Sequence, residues 1–313
     1  MQKSSYLSLL FTVVVLASVF VNKSILSGSE TPAAVLEQSR PVSFNQAVAI
    51  SSYLGKESIN RQTVLADLKF TAAPVKKSGI QPPWIEASAA LAVDLKSGFE
   101  FFGFNADKRW PIASLTKLMT ALIAEEKIGN KKTLTVSEKA IATEGAAGSL
   151  EAGGRYLVKD LIKAMMTVSS NDAAVALAEF YGEEFFIKEM NVKAEKLGMG
   201  QTKFFNSSGL SVLNQSTAND LRKLANFILN NYPEIFSASR EPKSVIQEIN
   251  SQKLIEFVSI NKFSGQPDFI GGKTGFLEEA QQNLLSVFRF KNRPALIIIL
   301  GSKKDRFEET MKI

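Results

Sequence analysis

Hydrophobic and polar positions follow three regimes along the chain. Residues 6–21 form an uncharged, mostly apolar run behind Lys3. That is the pattern of a signal anchor or signal peptide, assigned to residues 1–26. Val15-Leu16-Ala17 is a poor cleavage site, because the apolar run continues past it. Residues 27–83 lack a sustained period and read as a linker. Ser27, Gly28, Ser29, Pro32 and Pro41 break structure early, and Pro74, Gly79, Pro82 and Pro83 break it late. From Trp84 onward the patterning is regular, so residues 84–313 are expected to form the folded domain.

Within that domain, 87–95 and 99–104 read as strands joined by the turn Lys96-Ser97-Gly98. Pro111 precedes a helix with an apolar face at Leu115, Leu118, Met119, Leu122 and Ile123. Ser137 is placed to cap a further helix. Residues 158–168 read as a helix, broken at Ser169-Ser170-Asn171 and followed by helices over 172–181 and 183–197. Another helix runs from a cap within 216–220 to about residue 231. The end returns to strand over 269–274, 284–290 and 295–300, with a hairpin turn at Asn292-Arg293, and a last helix spans 305–312. The expected fold class is α+β: an antiparallel sheet built from both ends of the domain, with a mostly helical lobe packed on it.

The composition narrows the chemistry. The 313 residues contain no histidine and no cysteine. Ser-His-Asp triads, cysteine nucleophiles, disulfides and zinc sites built on His or Cys are therefore excluded, and no metal or cofactor is expected. Any nucleophilic serine must find another base. The net charge is +6, without a dense Lys/Arg block, so no nucleic-acid partner is expected.

Ser114 and Lys117 stand three residues apart at the expected helix start, a spacing that puts both side chains on one face. An unprotonated lysine there can activate a serine for attack on a carbonyl. Ser259 and Lys262 share the spacing, so the spacing alone is weak. Two further features raise its weight: Ser169-x-Asn171 in a break between helices and Lys273-Thr274-Gly275 at a strand. In that order, Ser-x-x-Lys, Ser-x-Asn and Lys-Thr-Gly mark penicillin-binding proteins and class A β-lactamases. Gly272-Lys273-Thr274 is not a phosphate loop, because Pro267 stands where that motif needs glycine.

The resemblance is wider than three triplets. Trp110-Pro111-Ile112-Ala113-Ser114-Leu115-Thr116-Lys117, Gly148-Ser149-Leu150, Ser170-Asn171-Asp172-Ala173-Ala174, Asn206-Ser207-Ser208-Gly209-Leu210 and Gly271-Gly272-Lys273-Thr274-Gly275-Phe276 resemble blocks of the D-alanyl-D-alanine carboxypeptidases of peptidase family S11. The resemblance implies the β-lactamase/transpeptidase-like fold and roles for single residues. Ser114 would be the acylated nucleophile, Lys117 its base, Ser169 a proton relay and Asn171 a hydrogen-bonding partner of Lys117 and substrate. Burial would push Lys117 towards its neutral form, and Lys273 would be a second cation that pushes it further. Thr274 and Gly275 would pair with the peptide, and the N–H groups of Ser114 and Phe276 would form an oxyanion hole. Arg306 would meet the terminal carboxylate. Implied partners are peptidoglycan stem peptides ending in D-Ala-D-Ala and β-lactams as inhibitors, at the extracytoplasmic face of a bacterial membrane. DD-endopeptidase, β-lactamase and non-catalytic penicillin- or peptidoglycan-binding protein are the alternatives. One departure stands near the third motif: the family usually has Ala-Gly there, and this chain has Ala280-Gln281.

Overall fold

The computed structural model describes residues 74, 75, 79 and 81–313. The expected anchor, 1–26, and most of the expected linker lie outside these residues. Among the described residues no helix is long and apolar enough to cross a membrane.

In chain order the domain begins with β1 (Ala89–Asp94), β2 (Glu100–Phe104) and the two-residue β3 (Trp110–Pro111). A 3-10 turn, Ala113–Thr116, leads into α1 (Lys117–Ile123), which ends in a π turn, Ala124–Ile128. Then come β4 (Thr133–Thr135), α2 (Glu138–Ile141), β5 (Arg155–Leu157), α3 (Val158–Thr167), α4 (Asn171–Tyr181) and α5 (Glu183–Lys196). The chain continues through β6 (Gln215–Ser216), α6 (Ala218–Asn231), α7 (Pro233–Ser237), β7 (Lys243–Gln247) and β8 (Leu254–Val258). It closes with β9 (Phe269–Leu277), β10 (Gln281–Phe290), β11 (Arg293–Ser302) and α8 (Arg306–Lys312).

The main sheet has the order β2-β1-β11-β10-β9, and every pairing is antiparallel. Its strands come from the two ends of the domain, as expected. Both faces are covered, which is why the central strands read as near-continuous apolar runs rather than as alternation. Leu91, Val93, Leu285, Val287, Leu296 and Ile298 face the helical lobe. On the other face Leu284 and Phe269 pack with Phe263 and Phe307, so α8 seals that side. β9 is an edge strand.

Three local expectations change. First, α1 is buried on every side rather than along one stripe. A helix enclosed in this way must satisfy each polar side chain inside the protein. Second, the hairpin turn is Lys291-Asn292, with φ of +50° and +62°, not Asn292-Arg293. A two-residue hairpin turn of this hand needs two left-handed residues. Arg293 instead opens β11, pairs with Phe290, and sends its Nε to Asp94 Oδ2 at 2.5 Å. Third, the β7/β8 hairpin and the short pairs β3/β6 and β4/β5 carry too few residues, or too mixed a pattern, for periodicity to expose them. Caps fared better: Ser137 Oγ accepts from Ala140 N at 3.0 Å and Thr217 Oγ1 from Asp220 N at 3.0 Å.

Gln281 has φ +53°, so the family's usual glycine has a physical reason at this position. An L-residue pays roughly 1–2 kcal/mol for that conformation. Gln281→Gly is expected to stabilise the domain by about 1 kcal/mol, seen in a melting curve as a rise of about 2–4 °C. An unchanged or lower midpoint would show the strain to be relieved elsewhere.

Candidate active site

The site lies where α1, the α3–α4 break, the 205–214 loop and β9 converge. Ser114 sits in the first turn of the 3-10 segment, just before Leu115, whose N–H makes the turn's first bond, to the Ile112 carbonyl at 3.1 Å. Two glycines let neighbouring backbone close on this turn. A Cβ on Gly209 would lie 2.1 Å from the Ala113 carbonyl oxygen, and one on Gly275 would lie 2.9 Å from that of Ile112 and 3.2 Å from Ser114 N. Gly271 and Gly272 are similarly confined, against the Phe236 and Leu285 carbonyl oxygens at 2.2 and 2.3 Å. Every glycine of the Gly-Gly-Lys-Thr-Gly run is thus a close approach of backbone.

Two residues here hold uncommon backbone. Ala113, before the nucleophile, has φ +47°, and Ser169 has φ +62°. Such residues cost about 1–3 kcal/mol each and persist where surrounding structure over-determines them.

Lys117 is fully buried, and its Nζ has three oxygen neighbours. Ser114 Oγ lies at 3.0 Å and Asn171 Oδ1 at 2.5 Å, and the carbonyl oxygen of Ser208 is the third. A protonated amine donates to all three. A neutral amine has two N–H bonds and one lone pair. The oxygens of Asn171 and Ser208 can only accept, so they take both N–H bonds. The lone pair is then left facing Ser114, whose hydroxyl becomes the donor. Burial favours the neutral state and lowers the Lys117 pKa to about 7, against an opposing pull from Asp172.

Lys273 is also buried. Its Nζ donates to Ser169 Oγ and to the Thr274 carbonyl, both at 2.8 Å. Burial pushes its pKa well below the ordinary lysine range, and the charges of Lys117 and Arg306 add to this. Burial, the first cause expected for a neutral Lys117, is the largest at both lysines. Each amine has lost nearly all contact with water, so burial outweighs the pull of Asp172 at Lys117 and exceeds charge repulsion at Lys273.

The remaining expected residues fall as follows. Asn171 Nδ2 donates to the Glu144 carbonyl at 2.7 Å, which fixes the orientation of the amide. On β9, Gly272 N–H points off the sheet edge to Ser239 Oγ at 2.9 Å. Strand alternation therefore turns the Thr274 and Phe276 N–H groups the same way, towards the open edge. Phe276 is largely exposed, while Thr274 and Lys273 are buried. Arg306 lies behind β9: its Nη1 donates to Gly275 O at 2.6 Å and Asn283 O at 3.2 Å. It buttresses the strand and brings positive charge to Lys273. The decoy pair separates, with Lys262 Nζ held by Asp305 at 2.5 Å. The sequence block around Asn206-Ser207-Ser208 gave no hint that a backbone carbonyl would bind the lysine. Among the described residues no acidic cluster is placed to hold a metal ion.

A family model for D-alanyl-D-alanine carboxypeptidases, peptidase family S11, matches residues 76–304. The chain belongs to that family. Among S11 relatives, it is 32% identical over 240 residues to the D-alanyl-D-alanine carboxypeptidase DacF of Bacillus subtilis, covering 73% of this chain and 61% of DacF. The chain therefore spans about three fifths of that relative's length. It is 35% identical over 226 residues to a D-alanyl-D-alanine endopeptidase of Haemophilus influenzae, with 70% of this chain and 76% of the relative covered. Penicillin-binding protein D2 of Listeria monocytogenes, solved with cefotaxime bound, superposes with a TM-score of 0.66 at 30% identity, covering 74% of this chain and 97% of that one. The fold of this S11 protein is accordingly the penicillin-binding-protein and β-lactamase-like transpeptidase fold.

The depressed Lys117 pKa has a consequence for stability. Between about pH 7 and 10 the unfolded chain holds a proton on this lysine that the folded chain does not. Folded stability therefore rises with pH through that window. The stability of the wild type minus that of Lys117→Met is expected to increase by about 3–4 kcal/mol from pH 7 to pH 10. Urea unfolding at the two pH values reads it, and a pH-independent difference would show that Lys117 is charged in the folded protein.

Proposed function

We propose that this S11 protein is a serine-type D-Ala-D-Ala carboxypeptidase acting on peptidoglycan stem peptides. The observation that carries the reading is the Lys117 amine, buried and bonded to two pure acceptors, with its lone pair left for Ser114. In the first step the Ser114 hydroxyl proton passes to Lys117 Nζ. Ser114 Oγ then bonds to the carbonyl carbon of the penultimate D-alanine. The oxygen of that carbonyl gains charge beside the N–H groups of Ser114 and Phe276. Losing one such donor typically costs ~10²–10³ in rate. Collapse of the tetrahedral intermediate breaks the C–N bond. Ser169, held by Lys273, hands its proton to the leaving amine of the terminal D-alanine and recovers one from the lysines. Water then attacks the acyl ester by the reverse proton path, returning Ser114.

The stem peptide lies as an added strand along the β9 edge, through Thr274 and Gly275, with Asn171 on the other side. Its terminal carboxylate points towards the end formed by Lys273, Thr274 and Arg306. Because Arg306 spends Nη1 on the Gly275 and Asn283 carbonyls, it acts through charge and through the shape of β9. β-Lactams acylate the same serine, a reading supported by the cefotaxime-bound relative. The apolar run over residues 6–21 supports an N-terminal anchor at the extracytoplasmic face of the membrane. A chain without residues 1–26 would then leave the membrane fraction.

A second reading is DD-endopeptidase, favoured by the 35% identity to the H. influenzae endopeptidase. It uses the same acyl-enzyme and differs in the amine that leaves.

Release of D-alanine from a pentapeptide tests the proposal. Wild type is expected to release it and Ser114→Ala to lose it entirely, along with the penicillin adduct. The acylation rate should climb about tenfold per pH unit below 7 and level off above, as Lys117 loses its proton. Cleavage of cross-linked dimer in preference to pentapeptide would establish the second reading. An adduct that survives in Ser114→Ala would overturn both.

A further inference from the structure

The orientation of Lys117 depends on the Ser208 carbonyl, and that carbonyl lies on a loop with almost no regular structure between residues 205 and 214. A general base held by a wandering carbonyl would lose its aim. What fixes the loop is a set of buried side chains that lie outside the reaction path.

Thr120 sits one turn beyond Thr116 on α1, next to the face that carries Lys117. Its Oγ1 lies 2.6 Å from the Ser207 carbonyl and 3.4 Å from the Thr116 carbonyl. A hydroxyl has one proton, and the shorter contact takes it. Thr120 thus ties to its own helix the residue immediately before Ser208. Asn214 closes the other end of the loop. Its Oδ1 accepts from Phe205 N at 2.7 Å and Asn206 N at 3.3 Å. Its Nδ2 lies 3.0 Å from each of Thr116 Oγ1, Asn206 O and Asn206 Oδ1. Asn206 Oδ1 in turn accepts from Gly209 N at 2.9 Å. Thr116, Thr120 and Asn214 are wholly buried, and Ser207 and Ser208 nearly so. Buried hydrogen bonds of this density specify one arrangement, since each lost partner leaves an unsatisfied polar group.

We infer that Thr120 and Asn214 are positioning residues for the general base: they bind the 205–214 loop to the nucleophile's own helix, so that the Ser208 carbonyl takes one N–H of Lys117 and leaves its lone pair aimed at Ser114. The helix that presents the serine thereby also sets the loop that orients the lysine. This inference rests on the reading of Lys117 as the base.

The charged groups that face Lys117 are Asp172 from α4 and Lys273 from β9, and Arg306 stands beyond Lys273. The hydrogen bonds of Thr120 and Asn214 go to other groups, so substitutions at these two positions leave that charge set in place. A carbonyl that accepts from Lys117 favours the ammonium form. Loosening it lowers the lysine pKa while spoiling the aim of the neutral amine.

The test is the rate of Ser114 acylation by a fluorescent penicillin across pH 5–10, on folded full-length protein. Thr120→Val, nearly the same shape, is expected to lower the alkaline plateau about tenfold and move the acid limb to lower pH. Thr120→Ser, which keeps the hydroxyl, is expected to restore both. Should Thr120→Val not fold, Thr116→Val, which removes the acceptor of Asn214, is expected to show the same two changes at smaller size. A wild-type plateau and limb in the folded valine variant tested would overturn the inference. So would a serine variant as impaired as the valine one. If the wild type forms no adduct at any pH, the proposed function itself fails. A normal wild-type profile with unaffected variants sinks only the positioning role.

Discussion

A lysine amine sealed from water governs this structure. Lys117 has no room for a hydration shell, and three oxygens stand in for one. Burial of this kind is affordable only if the charge can be given up, which is the property a base at neutral pH needs. The same requirement explains why α1 is enclosed on all sides, why β9 must close on the 3-10 turn through Gly275, and why the 205–214 loop must deliver a carbonyl through Gly209. The strained backbone at Ala113 and Ser169 belongs to this arrangement. Ala113 directly precedes the nucleophile, and Ser169 carries the hydroxyl that Lys273 binds.

The second lysine completes the picture. Lys273 and Lys117 are both buried and repel each other when charged, so the pair resists carrying two protons at once. Lys273 reaches Ser169, and Ser169 stands in the break between α3 and α4. The site therefore has two amines and two hydroxyls arranged in pairs, Lys117 with Ser114 and Lys273 with Ser169. A hydrolase without histidine can move protons through such pairs. Arg306 stands behind rather than within this set, adding charge and holding the strand.

Much of the fold was legible in the sequence because apolar runs and caps are local signals. The five sheet strands, α3 to α6 and the caps at Ser137 and Thr217 stand close to where periodicity puts them. Ser114, Lys117, Ser169, Asn171 and Lys273 were legible as residue types in order, and the structure brings them together. The parts that escaped are those set by contacts distant in sequence. Arg293 joins a strand because Asp94, 199 residues away, needs a partner. The Ser208 carbonyl carries no side-chain signature. The role of Arg306 as a buttress depends on carbonyls that only the folded strand presents.

The most direct measurement of the central claim is the ionisation of Lys117 itself. Carbon-13 label at lysine Cε, followed by NMR across pH 5–11 with Lys117→Met to assign the signal, reports its proton directly. Its signal is expected to titrate near pH 7, far below the ordinary lysine value. A Lys117 signal that titrates near the ordinary value of 10.5 would contradict a neutral base.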